Sequence, residues 1–225
     1  MTSPDAASSP GKAPALTRFV GLLAVAEMAA VEQIGRAAGH APDFATRRVL
    51  MDLVAERAAR YRALVDIITD AGADPAEVMQ GQQEPLVAFH DHTEASTWGE
   101  HLVKLTAGVA ISHDLGVEAE PRATGAIAEV LTVAEDDSTQ SYLSDALQQL
   151  LSRDPSQVGR LSLWARRLSA EALTRAQTVV AEDEAMAEFL APRGEHGPDL
   201  AALTAVFSRM LQQHNQRMAD LGLKL

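Results

Sequence analysis

The sequence predicts an all-α protein: an up-down helical bundle with extra helices packed alongside. Three observations carry this. Hydrophobic residues make up 47% of the 225 residues while aromatics are only 4%, and alanine and leucine dominate. That mixture favours helices, because sheets draw on aromatic and β-branched side chains. The apolar residues recur at helical spacing in long runs. The runs are separated by short Asp, Pro and Gly punctuation of the kind that starts and stops helices.

The elements follow in order. Residues 1–14, rich in Ser, Pro and Ala, read as a disordered tail, and residues 15–225 as one helical domain. The first helix runs from about Ala15 to Ala38, with Leu16, Phe19, Val20, Leu23, Val31 and Ile34 on one stripe and Gly39 as its C-terminal cap. Asp43 caps a second helix that reaches about Asp70 before Gly72 and carries Leu50, Leu53, Leu64 and Ile68. Asp74-Pro75-Ala76-Glu77 is a capping box with proline at the first helical position, so a short helix follows until Gly81. Pro85 to about His92 forms another short helix. Thr97 to Glu100 is a second capping box, opening a helix through Leu102, Leu105, Val109 and His113. Beyond Pro121 a helix runs from Ala123 to about Ser152. Asp154-Pro155 restarts the chain in one long helix to about Leu190. Pro192, Gly194, Gly197 and Pro198 form a loop, and a last helix spans Asp199 to about Leu221.

Composition excludes several function classes. The absence of cysteine removes disulfides, thiolate metal sites and cysteine nucleophiles. A net charge of −12 disfavours non-specific nucleic-acid binding. No apolar run approaches the ~20 residues that span a bilayer, and the N-terminus lacks the basic start and apolar core of a signal peptide. The expected location is the cytoplasm, away from membranes. The partner stays unknown, and a homodimer stays open.

A few polar residues interrupt the apolar stripes. Glu27 lies about 20° from Leu16 and Ile34 at 100° per residue, inside the stripe of the first helix. A carboxylate there is costly unless it is paired, protonated or metal-bound. It reads either as a metal ligand or buried acid, or as a structural ion pair with a nearby arginine. Glu56 sits on the flank of the second stripe, where Arg60 one turn later can pair with it. His113 shares the apolar face of its helix, with Asp114 at the edge; the bland reading is a satisfied core histidine. Glu135-Asp136-Asp137 is an acidic run, of which one residue can point inward. Ser138, Ser141 and Asp145 give the core side of that helix a polar character. His90 and His92 are two apart and cannot share one ion on a helix. Arg47, Arg48, Arg57, Arg60 and Arg62, with Arg160, Arg166 and Arg167, read as ordinary solvated faces.

A carboxylate-bridged di-iron centre in a four-helix bundle needs Glu-x-x-His on two of its helices, because positions i and i+3 share a face. The residues three before the seven histidines are Ala37, Val87, Phe89, Trp98, Ala110, Arg193 and Leu211, none of them acidic. No His-Glu-x-x-His, phosphate loop or Gly-x-Ser-x-Gly occurs either.

Several segments nevertheless resemble one family. Arg160 to Gln177, with Leu163-Trp164-Ala165-Arg166-Arg167-Leu168 at its centre, is similar to a late helix of actinobacterial ferritin-like proteins related to the tRNA hydroxylase MiaE. So are Gly21–Glu27, Ala55–Leu64, Trp98–Lys104 and Arg209–Leu223, which extends the resemblance over about residues 16–223. It implies a ferritin-like helical bundle, a four-helix core plus additional C-terminal helices, whose active members bind two irons and activate dioxygen for hydroxylation. Glu27 then matches the first-helix ligand, and Glu56 the Glu of the first Glu-x-x-His, with Ala59 in the histidine's place. Asp114 matches an acidic position of the third bundle helix, with Val109 as a competing alignment. Asp136 falls near the second histidine position. The implied reading is a relative that has lost the di-iron site, with Glu27, Glu56, Asp114 and Asp136 as vestigial metal ligands, no cofactor expected, and a non-catalytic binding or structural role. The alternative is a tRNA-modifying type of di-iron oxygenase that holds iron through atypical ligands such as Glu27, Glu56, His113 and Asp114. A third reading is an RNA-binding relative that does not hydroxylate.

Overall fold

The computed structural model describes residues 14–119, 121, 128, 138–191, 193–194 and 197–225. The tail assigned to residues 1–14 lies outside the described residues except for Pro14, as does the acidic run at residues 135–137. The helices are α1 (Ala15–Ala38), α2 (Phe44–Asp70), α3 (Pro75–Gln80), α4 (Glu84–His92), α5 (Trp98–Ala119), α6 (Ser138–Arg153), α7 (Val158–Glu182), α8 (Glu184–Leu190) and α9 (Leu200–Asp220). A 3-10 turn, Pro155–Gln157, precedes α7, and Arg193–Gly194 pairs antiparallel with Gly197–Pro198 in the loop before α9. This is the all-α bundle the sequence predicts. Among the described residues, no helix is long and apolar enough to cross a membrane.

Side-chain caps set most of the helix starts. Asp43 accepts from the Thr46 amide at 2.7 Å, and Asp74 from the Ala76 amide at 2.7 Å. At α5 the capping box is complete: the Glu100 amide donates to Thr97 Oγ1, while Glu100 Oε2 accepts from the amides of Ser96 and Thr97. Each contact satisfies an amide that the helix leaves without a partner. Two helices end on a left-handed glycine, Gly72 with φ 76° after α2 and Gly222 with φ 88° after α9. In both, the next amide reaches back to close the last turn, Ala73 to the Ile68 carbonyl and Leu223 to that of Met218. Gly39, by contrast, keeps a helical φ of −67°.

Three expectations need correction. The long helix expected over residues 155–190 is broken at Asp183, whose carboxylate caps the Met186 amide and pairs with Arg18 of α1 at 2.8 Å. The polar side of α6 is not its core side: Ser138, Ser141 and Asp145 are exposed, and Thr139, Leu143, Leu147 and Leu151 form the buried stripe. Arg57 is not on a solvated face. It is buried on α2 with Leu50, Leu53, Leu64 and Ile68.

The longest helix contact runs between α1 and α2. Two apolar clusters are strung along it. One gathers Ile34, Leu50, Leu102, Leu147 and Leu161; the other gathers Phe19, Leu64, Ile68, Met186 and Leu203. α5 is buried nearly all round from Gly99 to Ala107 and is the central helix of the first cluster.

Packing at Gly21 is tighter than a side chain allows. A Cβ there would lie 2.6 Å from Val78 Cγ1 of α3, whereas one at exposed Gly35 meets nothing within 4 Å. Val78 is β-branched and cannot swing clear cheaply. Gly21→Ala is expected to destabilise the fold by about 1–3 kcal/mol through overpacking, and Gly35→Ala to stabilise it by about 0.5–1 kcal/mol through helix propensity. Urea unfolding of both variants checks the opposite signs.

Candidate functional site

Glu27 does sit inside the bundle, and its partner is an arginine. The stripe that carries Leu50, Leu53 and Leu64 on α2 also carries Arg57, whose side chain is 3% exposed, against 14% for Glu27. Arg57 Nη1 donates to Glu27 Oε1 at 3.3 Å, and its Nε donates to Thr139 Oγ1 of α6 at 3.2 Å. Glu56, one residue earlier on α2, accepts from Ser138 Oγ at 2.6 Å and from Thr139 Oγ1 at 3.5 Å. α1, α2 and α6 are thus tied by one network of charge-assisted hydrogen bonds.

The other sequence candidates lie elsewhere. Asp114 is buried against α9, where its carboxylate pairs with the Arg217 guanidinium. Burial pushes the Asp114 carboxyl up, and Arg217 opposes that shift. His113 is half-buried on α5. Asp136 lies outside the described residues. Glu27 and Glu56 come together through the Arg57–Thr139 network; Asp114 does not join them.

Beside the Glu27–Arg57 pair lies a cavity of about 200 Å³, between α1, α4, α5, α7 and α8 and mostly apolar. Leu22, Leu115, Met186 and Val179 line one end. Gln33, His90 and Lys104 line it as well, with Arg36 on the same side exerting its charge on His90 and Lys104. Lys104 is 3% exposed and its ammonium donates to the Thr93 carbonyl at 2.6 Å. Burial first, and then the charge of Arg36, brings its pKa down to about 8. His90 is pushed to about 4 by burial, with Lys104 and Arg36 adding to the shift, so at neutral pH it is uncharged. His92 turns the other way and meets Glu171 of α7 at 2.9 Å.

Sequence reasoning missed Arg57, Gln33 and Lys104. A signal existed for Arg57. It lies seven residues from both Leu50 and Leu64, within about 20° of each by the same arithmetic that singles out Glu27. Lys104 had no such signal, because α5 is buried on every side.

A family model described as a ferritin-like domain of actinomycetes matches residues 13–193. The chain belongs to the ferritin-like domain family of actinomycetes. The match covers α1 to α8 and stops short of α9. No curated protein matches the chain significantly.

A ferritin-like bundle raises the question of two irons, and the described donors do not fit them. Glu27 is held by a guanidinium, and Asp114 is engaged by Arg217. Among the described residues, no group of three or more His, Asp or Glu could hold a metal ion.

Two measurable consequences follow. Arg57→Met removes the counter-charge from a desolvated carboxylate and is expected to cost about 3 kcal/mol or more. The double variant Glu27→Gln/Arg57→Met is expected to lose clearly less than the sum of the two single losses; strict additivity in urea unfolding would show that the pair is uncoupled. The second concerns His214 of α9, which is 2% exposed with neither ring nitrogen hydrogen-bonded. Burial, then the charge of Arg217, lowers its pKa from 6.5 to about 4. Its folded pKa is depressed, so the unfolded chain takes up the proton first. The neutral ring's contribution is intact above pH 6.5 and is lost as the pH falls toward 4. His214→Leu is expected to flatten the decline of unfolding free energy over that window by on the order of 2–3 kcal/mol, read by denaturation at stepped pH.

Proposed function

We propose that this chain is a non-catalytic, small-molecule-binding member of its family, working in the cytoplasm, in which the Arg57 guanidinium stands where the family's chemistry would call for a metal. One observation carries the reading: the Glu27 carboxylate, the sequence's best ligand candidate, is held by Arg57 in the wall of an apolar cavity. A guanidinium neutralises the carboxylate and donates to it, but it offers no open coordination position. What remains beside it is a concave apolar space with a few polar groups, which is the ordinary form of a ligand site.

The kinship with MiaE-type tRNA hydroxylases belongs to this proposal. It rests on the resemblance of Arg160–Gln177 and Arg209–Leu223, and on Glu27 and Glu56 standing at the matching positions. The net charge of −12 weighs against tRNA as the ligand. The rival oxygenase would have to recruit Glu27, Glu56, His113 and Asp114, and two of those four are engaged by arginines.

Elemental analysis of protein purified from iron-replete cells tests the reading. Iron far below one atom per chain is expected. Two irons per chain would overturn it and establish the oxygenase.

A further inference from the structure

We propose that the cavity between α1, α4, α5 and α7 binds an unbranched carboxylate of medium chain length, with its head at Lys104 and Gln33 and its tail running toward Leu22, Met186 and Val179. The inference deepens the binding role proposed above by naming the ligand class.

The first support is an unmet set of donors. Gln33 is 5% exposed, lines the cavity, and its Nε2 has no hydrogen-bond partner. A buried amide donor left bare is costly, so a site that holds one calls for an acceptor. Lys104 is its counterpart on α5. Its ammonium has three donors, of which one meets the Thr93 carbonyl at 2.6 Å and one the His90 carbonyl at a marginal 3.5 Å. Among the described residues, no carboxylate lies within ion-pair distance of it. Glu94 and Asp91 act on the ammonium only from beyond that distance, so an amide N–H on α1 and an ammonium on α5, both lining the cavity, match the two oxygens of a carboxylate. His90, uncharged with its Nδ1 unpartnered, adds a third polar contact without adding charge.

Shape is the second support. Leu22 and Gln33, which both line the cavity, are about 16 Å apart along α1 at 1.5 Å per residue. A volume of about 200 Å³ drawn out over that length is slender. It suits an extended alkyl chain better than a fused ring system. Glu27, Arg57, Ser112 and Arg175 also line the space, and the rest of the wall is largely leucine, valine, methionine and alanine, which would bury a chain without asking it for hydrogen bonds.

Gly108 is the third. It lies in mid-helix on α5, where glycine is unfavourable relative to alanine. Tight packing does not explain it, since a Cβ there would meet nothing within 4 Å. Gly35 and Gly159 are also unconfined but are exposed, whereas Gly108 is half-buried and lines the cavity. A side chain at Gly108 would project into that space.

Calorimetric titration of the full chain with straight-chain carboxylates tests this. Saturable one-to-one binding of decanoate is expected, with affinity rising about fourfold per added methylene between hexanoate and octanoate and levelling once the space is full. Decanol should bind about tenfold more weakly or worse, having lost the charge-assisted contacts. Lys104→Met should erase that preference for acid over alcohol while keeping chain-length dependence. Gly108→Leu should abolish binding with no fall in melting temperature, since it fills open space and replaces a helical glycine. No saturable binding to any chain length would overturn the proposal. So would equal affinity for acid and alcohol, or unchanged binding in a folded Gly108→Leu. Iron content read on the same preparations keeps the two readings apart. An iron-loaded protein that binds decanoate would sink the non-catalytic reading alone, and an iron-free protein that ignores it would sink this one alone.

Discussion

The bundle is organised around a cation buried where three helices meet. Arg57 reaches Glu27 on α1 and Thr139 on α6 from its place on α2. Taking a guanidinium and a carboxylate out of water costs several kcal/mol per ion before their attraction returns any of it. Such a pair adds little net stability over a well-packed apolar replacement. Its consequence is specificity. Once both charges are inside, neither can be left without the other, so the register of α1 against α2 is held at that level, with α6 joined to it. A sliding of α1 by one turn, about 5.4 Å, would strand both groups.

That constraint divides the interior in two. Toward the C-terminal end of α1, Ile34 joins Leu50, Leu102 and Leu147; toward its N-terminal end, Phe19 joins Ile68, Met186 and Leu203. The cavity opens beside the Glu27–Arg57 pair, on the side facing α4, α5 and α7. Side chains there serve two fields at once. Lys104 is held by carbonyls at the end of α4 and leans over the Phe89 ring at 5.7 Å, so its charge is tolerated by dipoles and a π face, with no carboxylate among the described residues in ion-pair contact with it.

What the sequence shows plainly are the local rules. Asp43, Asp74, and Thr97 with Glu100 are all seen capping helices where the spacing places them. Those interactions span two to four residues, so they can be read from a short window. The break at Asp183 could not be read that way. Its carboxylate answers to Arg18, 165 residues away, as well as to its own helix. The phase of α6 is hard to read because its serines and aspartate interleave with the apolar residues, while the buried stripe of Thr139, Leu143, Leu147 and Leu151 recurs every four residues. Glu27 was legible as an anomaly because one charge broke a clean apolar stripe. Its resolution was legible too, in Arg57 on the facing stripe, but only when both helices are considered together. Lys104 and Gln33 acquire meaning from the space between helices, and no single helix encodes that space.

The cavity itself then needs a physical account. An enclosed void costs about 24 cal/mol per Å³, which for about 200 Å³ is on the order of 5 kcal/mol. Partial opening to solvent lowers that figure, yet it stays large beside the roughly 5–15 kcal/mol by which a domain is stable at all. Filling the space would be easy. A leucine or methionine at Gly108 would occupy much of it and relieve a helical glycine in the same step. Replacing Lys104 by methionine would remove a desolvated charge. Gln33 could be leucine without losing any hydrogen bond made by its Nε2. Three residues on two helices each take the less stable choice, and all three face the same space. Packing alone predicts the opposite choice at every one of them, whereas a bound molecule with an apolar body and an acceptor head accounts for all three together.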